Sequence, residues 1–183
     1  MKISIAAQKL RRTNCNLFVL PIFEDERPLK KINGMVDWRL CGKISQLIIQ
    51  KQFCGKLTEK LLFANLQKPI AQNIILVGLG KKKNFGKEPL HEVFLTLQGA
   101  ISQLKISSFA LAPENFFSNY VKLGKVMECL KDLLQFLDGR AGQSALPNLS
   151  IVLFQGSLSD EVGQELLTWK NQLSFIHSAQ FES

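Results

Sequence analysis

The stretch IILVGLG, residues 74–80, joins four large apolar residues to a glycine-rich end. A continuous apolar run of this length is typical of a buried strand in a parallel sheet. Glycines directly after such a run indicate a tight turn. Beyond the turn, an apolar stripe at helical spacing extends from Leu90 to Leu104. These residues therefore predict a strand, a turn and a helix, which is the repeating unit of an α/β fold.

Outward from this unit, short apolar runs alternate with amphipathic segments. Helices are predicted over roughly 35–50, from Pro89 to Leu104, over roughly 116–137, and after Ser159, which is suited to an N-cap. Further strands are predicted at Lys2–Ala7, Asn16–Phe23, Lys56–Leu62, Ser107–Ala112 and Leu149–Phe154. This alternation predicts one α/β domain over residues 1–183, with a sheet that is largely parallel in its middle.

Composition excludes several classes of protein. The chain has 183 residues, of which 46% are hydrophobic and 21% are charged, so it carries enough apolar material for one packed core. Thirteen Phe residues argue against a disordered chain. Its apolar runs are far shorter than the roughly 20 residues that span a bilayer. The apolar stretch near Met1 is brief and ends before Lys9, Arg11 and Arg12, which argues against a signal peptide. We expect a cytoplasmic globular protein without a membrane partner.

Charge is distributed unevenly along the chain. Residues 1–90 contain 17 Lys and Arg against 6 Asp and Glu, whereas residues 91–183 contain 6 against 9, which together give the net charge of +8. A basic half is typical of a partner with negative charge, such as nucleic acid. The alternative is an ordinary solvated surface, because the lysines are scattered and few aromatic residues lie among them.

Catalytic and metal-binding patterns are missing from the sequence. The four cysteines form no C-x-x-C pair, and His91 and His177 lie far from each other and from any cysteine. The chain contains neither a G-x-S-x-G nor an H-E-x-x-H motif. We therefore predict no catalytic residue, no metal ligand and no cofactor.

The turn that follows the 74–77 run is a candidate anion site. Backbone N–H groups of a glycine turn can approach a phosphate, and lysine side chains can add charge. The turn has only G-x-G, which is neither the dinucleotide fingerprint nor a P-loop. The alternatives are an ordinary tight turn and a solvated lysine loop. The candidate residues are Gly78, Gly80, Lys81, Lys82 and Lys83, with Arg11, Arg12 and Lys87 as neighbours.

Three segments in a fixed order resemble the N-terminal domain of the leucyl (cytosol) aminopeptidase family. They are VDWRLCGKISQLI (36–48), FCGKLTEKLL (53–62) and IILVGLGKK (74–82). The second is similar to the F-x-G-K-x-G-E stretch of that family, with Thr58 in place of the second glycine. Matching positions are Phe53, Gly55, Lys56, Glu59 and 77–81, and the early P-I-F-E at 21–24 also fits. The resemblance covers roughly residues 1–140.

The resemblance implies a three-layer, macro-domain-like α/β fold in which a mixed sheet is flanked by helices. In that family the two-metal peptidase chemistry belongs to a separate C-terminal domain with an N-T-D-A-E-G-R-L signature. No match to that signature occurs in this chain, so the resemblance assigns no catalytic residue. Wider relatives of the fold bind ADP-ribose, but their loop signature is not recognisable here.

Three functions follow as hypotheses. The first is a non-catalytic interaction domain that binds itself or a full-length aminopeptidase, as family N-terminal domains take part in oligomer assembly. The second is non-specific binding of nucleic acid or phosphate through the basic half, since some family members bind DNA partly through this domain. The third is an accessory fragment of a metal-dependent aminopeptidase. Met1 and the strand and helix predicted after Gly142 favour a stand-alone domain.

Overall fold

A computed structural model describes residues 2–7, 15–64, 66, 71–104, 106, 108–140, 148–153, 161–162, 164–165, 168–169 and 178–182. Four uninterrupted helices lie within these ranges: α1 Lys31–Arg39, α2 Lys43–Ile49, α3 Lys87–Leu104 and α4 Leu123–Arg140. Short 3₁₀ turns occupy Lys82–Asn84 and Pro113–Phe116. The strands are β1 Lys2–Ala7, β2 Cys15–Ile22, β3 Lys60–Phe63, β4 Ala71–Gly78, β5 Ser108–Leu111, β6 Asn148–Leu153 and β7 Ser178–Glu182.

The strands form one mixed sheet in the order β3-β4-β2-β5-β6-β1-β7. Only β3, at one edge, runs antiparallel to its neighbour among the described strands. In β2, Val19 lies in register with Ile75 on one side and Leu111 on the other. The carboxyl ends of β2, β4 and β5 therefore meet at one edge, where the loops that follow them come together.

Helices cover both faces of this sheet. Because side chains alternate along a strand, Leu17 and Val19 of β2 pack with α3 and α4, whereas Phe18 and Leu20 pack with α1 and α2. All four of these side chains are fully buried. Burial on both faces explains the unbroken apolar run of β2. The mixed α/β sheet with helical layers confirms the predicted fold class.

Several predicted boundaries were wrong. The helix predicted over 35–50 is two helices, because Gly42 adopts a left-handed conformation with φ of 76° that ends the first helical path. The helix predicted from 116 begins at Leu123, and residues 113–116 form a 3₁₀ turn instead. Strand β7 was not among the predicted strands. The N-cap predicted at Ser159 lies outside the described residues. Across the described part of the chain, no helix combines the length and apolarity that a membrane span requires.

Candidate functional site

The glycine turn after β4 is closed by backbone hydrogen bonds. The Gly78 N–H donates to the Glu59 carbonyl at 2.7 Å, and the Gly80 N–H donates to the Gly55 carbonyl at 2.9 Å. Between them, the Leu79 N–H donates to the Ile22 carbonyl at 3.0 Å. Three donors that a phosphate could have used are thus already bound to protein acceptors.

Glycine is required at this turn because the loop 53–59 packs directly against it. A Cβ atom on residue 78 would lie 1.9 Å from the Lys56 carbonyl oxygen. Gly55 and Gly80 have φ values of +82° and +70°, which favour glycine. The glycines therefore permit close approach between two backbone segments, and this explains them without a ligand.

Glu59 organises the loop that fills the turn. Its carboxylate accepts hydrogen bonds from the Cys54 N–H at 2.9 and 3.1 Å and from the Lys56 N–H at 2.9 Å. Thr58 has a φ of 60°, a left-handed conformation that is uncommon for a β-branched residue. The F-x-G-K-x-G-E pattern has glycine at this position. A left-handed backbone favours glycine, so the geometry at Thr58 explains why the pattern has glycine there.

The lysines of the candidate anion site lie on the solvent side of the same turn. Lys81, Lys82 and Lys83 are all exposed. The Lys82 N–H donates to Asp25 Oδ1 at 3.0 Å, and its Nζ lies 3.4 Å from Glu26 Oε1 and 5.2 Å from the Phe23 ring centre. The acidic turn after β2 thus partly neutralises this cluster.

The remaining candidate residues divide between described and undescribed parts of the chain. Lys87 is exposed at the start of α3. Arg11 and Arg12 lie outside the described residues. Binding of an anion by the lysine side chains stays a prediction. Because the N–H groups of residues 78–80 are already hydrogen-bonded, an anion could contact only the side chains and the other N–H groups of this turn.

Arg27 joins the acidic turn to the loop 53–59. Its guanidinium donates to the Phe23 and Glu26 carbonyls at 2.8 Å and to the Cys54 carbonyl at 3.1 Å. Partial burial lowers the pKa of Arg27 from its ordinary value, and nearby acidic groups oppose that shift. An arginine used in three carbonyl contacts is part of the scaffold.

Buried polar side chains that the sequence analysis missed fix the loops at this edge of the sheet. Asn33 Nδ2 donates to the Pro21 carbonyl, and Asn115 Nδ2 donates to Asn33 Oδ1, both at 2.8 Å. Ser118 Oγ donates to the Phe85 carbonyl at 2.7 Å and accepts from the Val121 N–H at 3.1 Å. The two asparagines bond to each other, and Asn33 and Ser118 also bond to backbone groups, which is the arrangement of structural contacts. The described residues contain no cluster of His, Cys, Asp or Glu suited to a metal ion.

A second surface feature is the corner between α1 and α2. Asp37 is 9% exposed, and its Oδ1 accepts from the Ile44 N–H at 2.9 Å and the Ser45 N–H at 3.1 Å, while Oδ2 accepts from the Ser45 hydroxyl. The Gly42 N–H donates to the Asp37 carbonyl at 2.9 Å. The carboxylate therefore caps α2 from within α1 and links the two helices.

This corner borders an open groove of about 720 Å³. Trp38 forms part of its wall and is 81% exposed, and Ile49 at the end of α2 is 79% exposed. Large apolar side chains with this exposure carry a solvation cost that a binding partner would remove. We call this surface the α1–α2 groove. Its walls include Pro28, Leu29, Trp38, Arg39, Cys41 and Ser45.

Comparison with known proteins identifies the family. The model for the cytosol aminopeptidase family, N-terminal domain, matches residues 19–130. A "Probable cytosol aminopeptidase" of Alkaliphilus metalliredigens is 24% identical over 132 residues, which are 72% of this chain and 26% of that protein. One from a Sulfurihydrogenibium species is 27% identical over 121 residues, 66% of this chain and 24% of that protein. The chain thus spans about a quarter of the length of these relatives.

Solved structures agree with this result at the level of the fold. A variant of tomato leucine aminopeptidase matches with a TM-score of 0.54 and 17% identity, covering 90% of this chain and 35% of that one. The macro domain of ganglioside induced differentiation associated protein 2 matches with a TM-score of 0.66 and 18% identity, covering 91% and 82%. Both confirm the macro-domain-like fold. Since the family model matches more than half of the residues, the chain belongs to the cytosol aminopeptidase family and matches its N-terminal domain.

Proposed function

We propose that this chain is a non-catalytic domain that acts by associating with another protein. The observation that carries the proposal is the exposure of Trp38 and Ile49, at 81% and 79%, on the neighbouring helices α1 and α2. Apolar side chains of this size at the surface are typical of protein interfaces, where tryptophan is among the most enriched residues. The cytosolic character of the named relatives supports a cytoplasmic setting for that association.

The absence of catalysis is part of the same proposal. It is supported by the family resemblance, in which the peptidase chemistry belongs to a separate domain, and by the short share of each relative that the chain covers. The test is hydrolysis of a leucine anilide by the purified chain with added zinc or manganese. We expect no activity. Hydrolysis that a chelator abolishes would contradict the proposal.

Association is tested by sedimentation velocity. The chain is examined alone and mixed with a cytosol aminopeptidase from the same organism, because these are the two partners that the family suggests. We expect a heavier species that is lost when Trp38→Ser and Ile49→Ser are combined. Leu95→Ser is the matched control, since Leu95 is 52% exposed on α3, across the sheet. A chain that stays monomeric in every mixture would contradict the proposal for these partners.

A further inference from the structure

The surface around the α1–α2 groove has a strong excess of positive charge. Residues 29–60 contain seven Lys and Arg against two acidic residues. Both carboxylates, Asp37 and Glu59, are occupied by backbone N–H groups. Six lysines of this segment are exposed and, within the described part of the chain, none of them forms an ion pair. They are Lys30, Lys31, Lys43, Lys51, Lys56 and Lys60. Lys60 lies in register with Val77 and therefore on the α3–α4 face of the sheet.

Apolar side chains lie within this basic surface. Trp38 and Ile49 are the most exposed, at 81% and 79%. The corner beneath them is fixed by the Asp37 cap, so the groove needs little reorganisation to receive a ligand. A partner that fits the surface must combine negative charge with an apolar group.

We propose that the α1–α2 groove binds an acidic polypeptide segment that inserts an apolar side chain beside Trp38. This inference rests on the proposed function, because it names the chemistry of the protein partner. Uncompensated lysines attract carboxylates and orient the encounter, while the exposed indole supplies the apolar contact that gives affinity.

Two other occupants fit less well. A second copy of this chain related by a twofold axis would bring the same basic surface against itself, and like charges repel. Single-stranded nucleic acid is bound by basic grooves with aromatic side chains for successive bases. Residues 29–60 instead expose one aromatic side chain, Trp38, together with the aliphatic Ile49, because Phe53 is buried. Charge and apolarity together favour an acidic polypeptide.

The experiment uses Trp38 as its own reporter. The chain has two tryptophans, and Trp169 is only 3% exposed, so Trp169→Phe leaves a single indole in the groove. This variant is titrated with a short synthetic peptide of glutamate and leucine. We expect a blue shift of Trp38 emission that saturates, with affinity falling about tenfold between about 0.05 and 0.3 M salt. A lysine–leucine peptide should cause no shift.

Matched charge reversals locate the site. Combining Lys43→Glu with Lys51→Glu should weaken binding of the acidic peptide about tenfold or more. Lys122→Glu, an exposed lysine just before α4 on the opposite layer, should change it less than about twofold. Circular dichroism of each variant verifies that the fold is retained.

Other outcomes overturn the inference. A single-stranded oligonucleotide that shifts Trp38 emission while the acidic peptide does not would assign the groove to nucleic acid. Self-association of the chain that the Lys43 and Lys51 reversals abolish would assign it to a second copy. If neither probe binds but the sedimentation experiment still detects a complex, the proposed function stands and only the chemistry assigned to the partner is wrong.

Discussion

Replacing Gly78 by alanine tests whether the glycine turn is closed as described. The new Cβ would lie 1.9 Å from the Lys56 carbonyl oxygen and 2.6 Å from the Gly55 carbonyl carbon. Both neighbours are backbone atoms, which cannot move aside as a flexible side chain can. The loop 53–59 must therefore withdraw from the strand end by more than about 1 Å to restore van der Waals contact.

The energetic cost follows from the hydrogen bonds that this movement breaks. Withdrawal of the loop separates Gly78 N–H from the Glu59 carbonyl, Gly80 N–H from the Gly55 carbonyl, and Thr58 N–H from the Gly78 carbonyl. At about 1 kcal/mol for each bond, the loss is about 3 kcal/mol. That is a large part of the roughly 5–15 kcal/mol by which a domain is stable.

Urea unfolding followed by circular dichroism measures this loss, and thermal unfolding should show a Tm lowered by about 6–12 °C. Two further glycines provide a graded control. At Gly80 a Cβ would lie 3.4 Å from the Leu57 Cβ, so Gly80→Ala should lose only about 1–2 kcal/mol through its positive φ. Gly99 in α3 has nothing within 4 Å, and Gly99→Ala should gain about 0.5–1 kcal/mol. A Gly78→Ala variant within about 1 kcal/mol of the wild type would refute the reasoning.

Three further predictions follow from the same geometry. Thr58→Gly should raise the free energy of unfolding by about 0.5–1 kcal/mol because glycine adopts a φ of 60° without strain. Thr58→Ala should not raise it. Equal changes in the two variants would show that Thr58 is not strained. Asp37→Ala should lower stability by about 2 kcal/mol, since three donors lose their acceptor, and an unchanged urea midpoint would exclude the capping role. Burial, with lesser effects of Asp132 and Glu128, raises the pKa of the Cys129 thiol. Because the thiolate is the reactive form and Cys129 is buried, a disulfide reagent should label the exposed Cys41 before Cys129. Because the unfolded thiol ionises first, the stability that this shift contributes is present below the unfolded pKa and is lost as pH rises through the folded pKa. Faster labelling of Cys129 than of Cys41 in the native chain would be the contrary result.

The sheet and its connections were largely predictable from local patterns. Strands such as β2 and β4 are buried on both faces, and burial on both faces produces the unbroken apolar runs that were used to find them. Helix α3 follows directly from its apolar stripe. These features depend on residues that are close in sequence, so each strand or helix can be predicted from its own segment.

The closed turn was not predictable in the same way. Its structure depends on Gly78 and Gly80 meeting Gly55 and Glu59, which lie some twenty residues earlier in the chain. A glycine needed for close backbone approach has the same local pattern as a glycine that cradles a phosphate. The local sequence is therefore compatible with both a structural turn and a phosphate site, and the contact between the turn and the loop 53–59 distinguishes them.

The α1–α2 groove was only partly accessible from sequence. Apolar periodicity from Val36 to Ile48 predicts one continuous helix, and the break arises from the left-handed Gly42 and the Asp37 cap. Trp38 does not belong to the apolar stripe formed by Val36, Leu40 and Ile44, which is a signal that it is exposed. Strand β7 also left a signal, because Ala179 and Phe181 alternate with polar residues.

We propose that partners bind at the α1–α2 groove, whereas the glycine turn after β4 is structural. Amide chemical-shift mapping tests both parts in one labelled sample, titrated first with the glutamate–leucine peptide and then with pyrophosphate. We predict saturable shifts within residues 29–52 on adding the peptide, with the amides of Gly78 and Gly80 unchanged by either ligand. Saturable pyrophosphate shifts at Gly78 and Gly80, with residues 29–52 unaffected by the peptide, would contradict the claim.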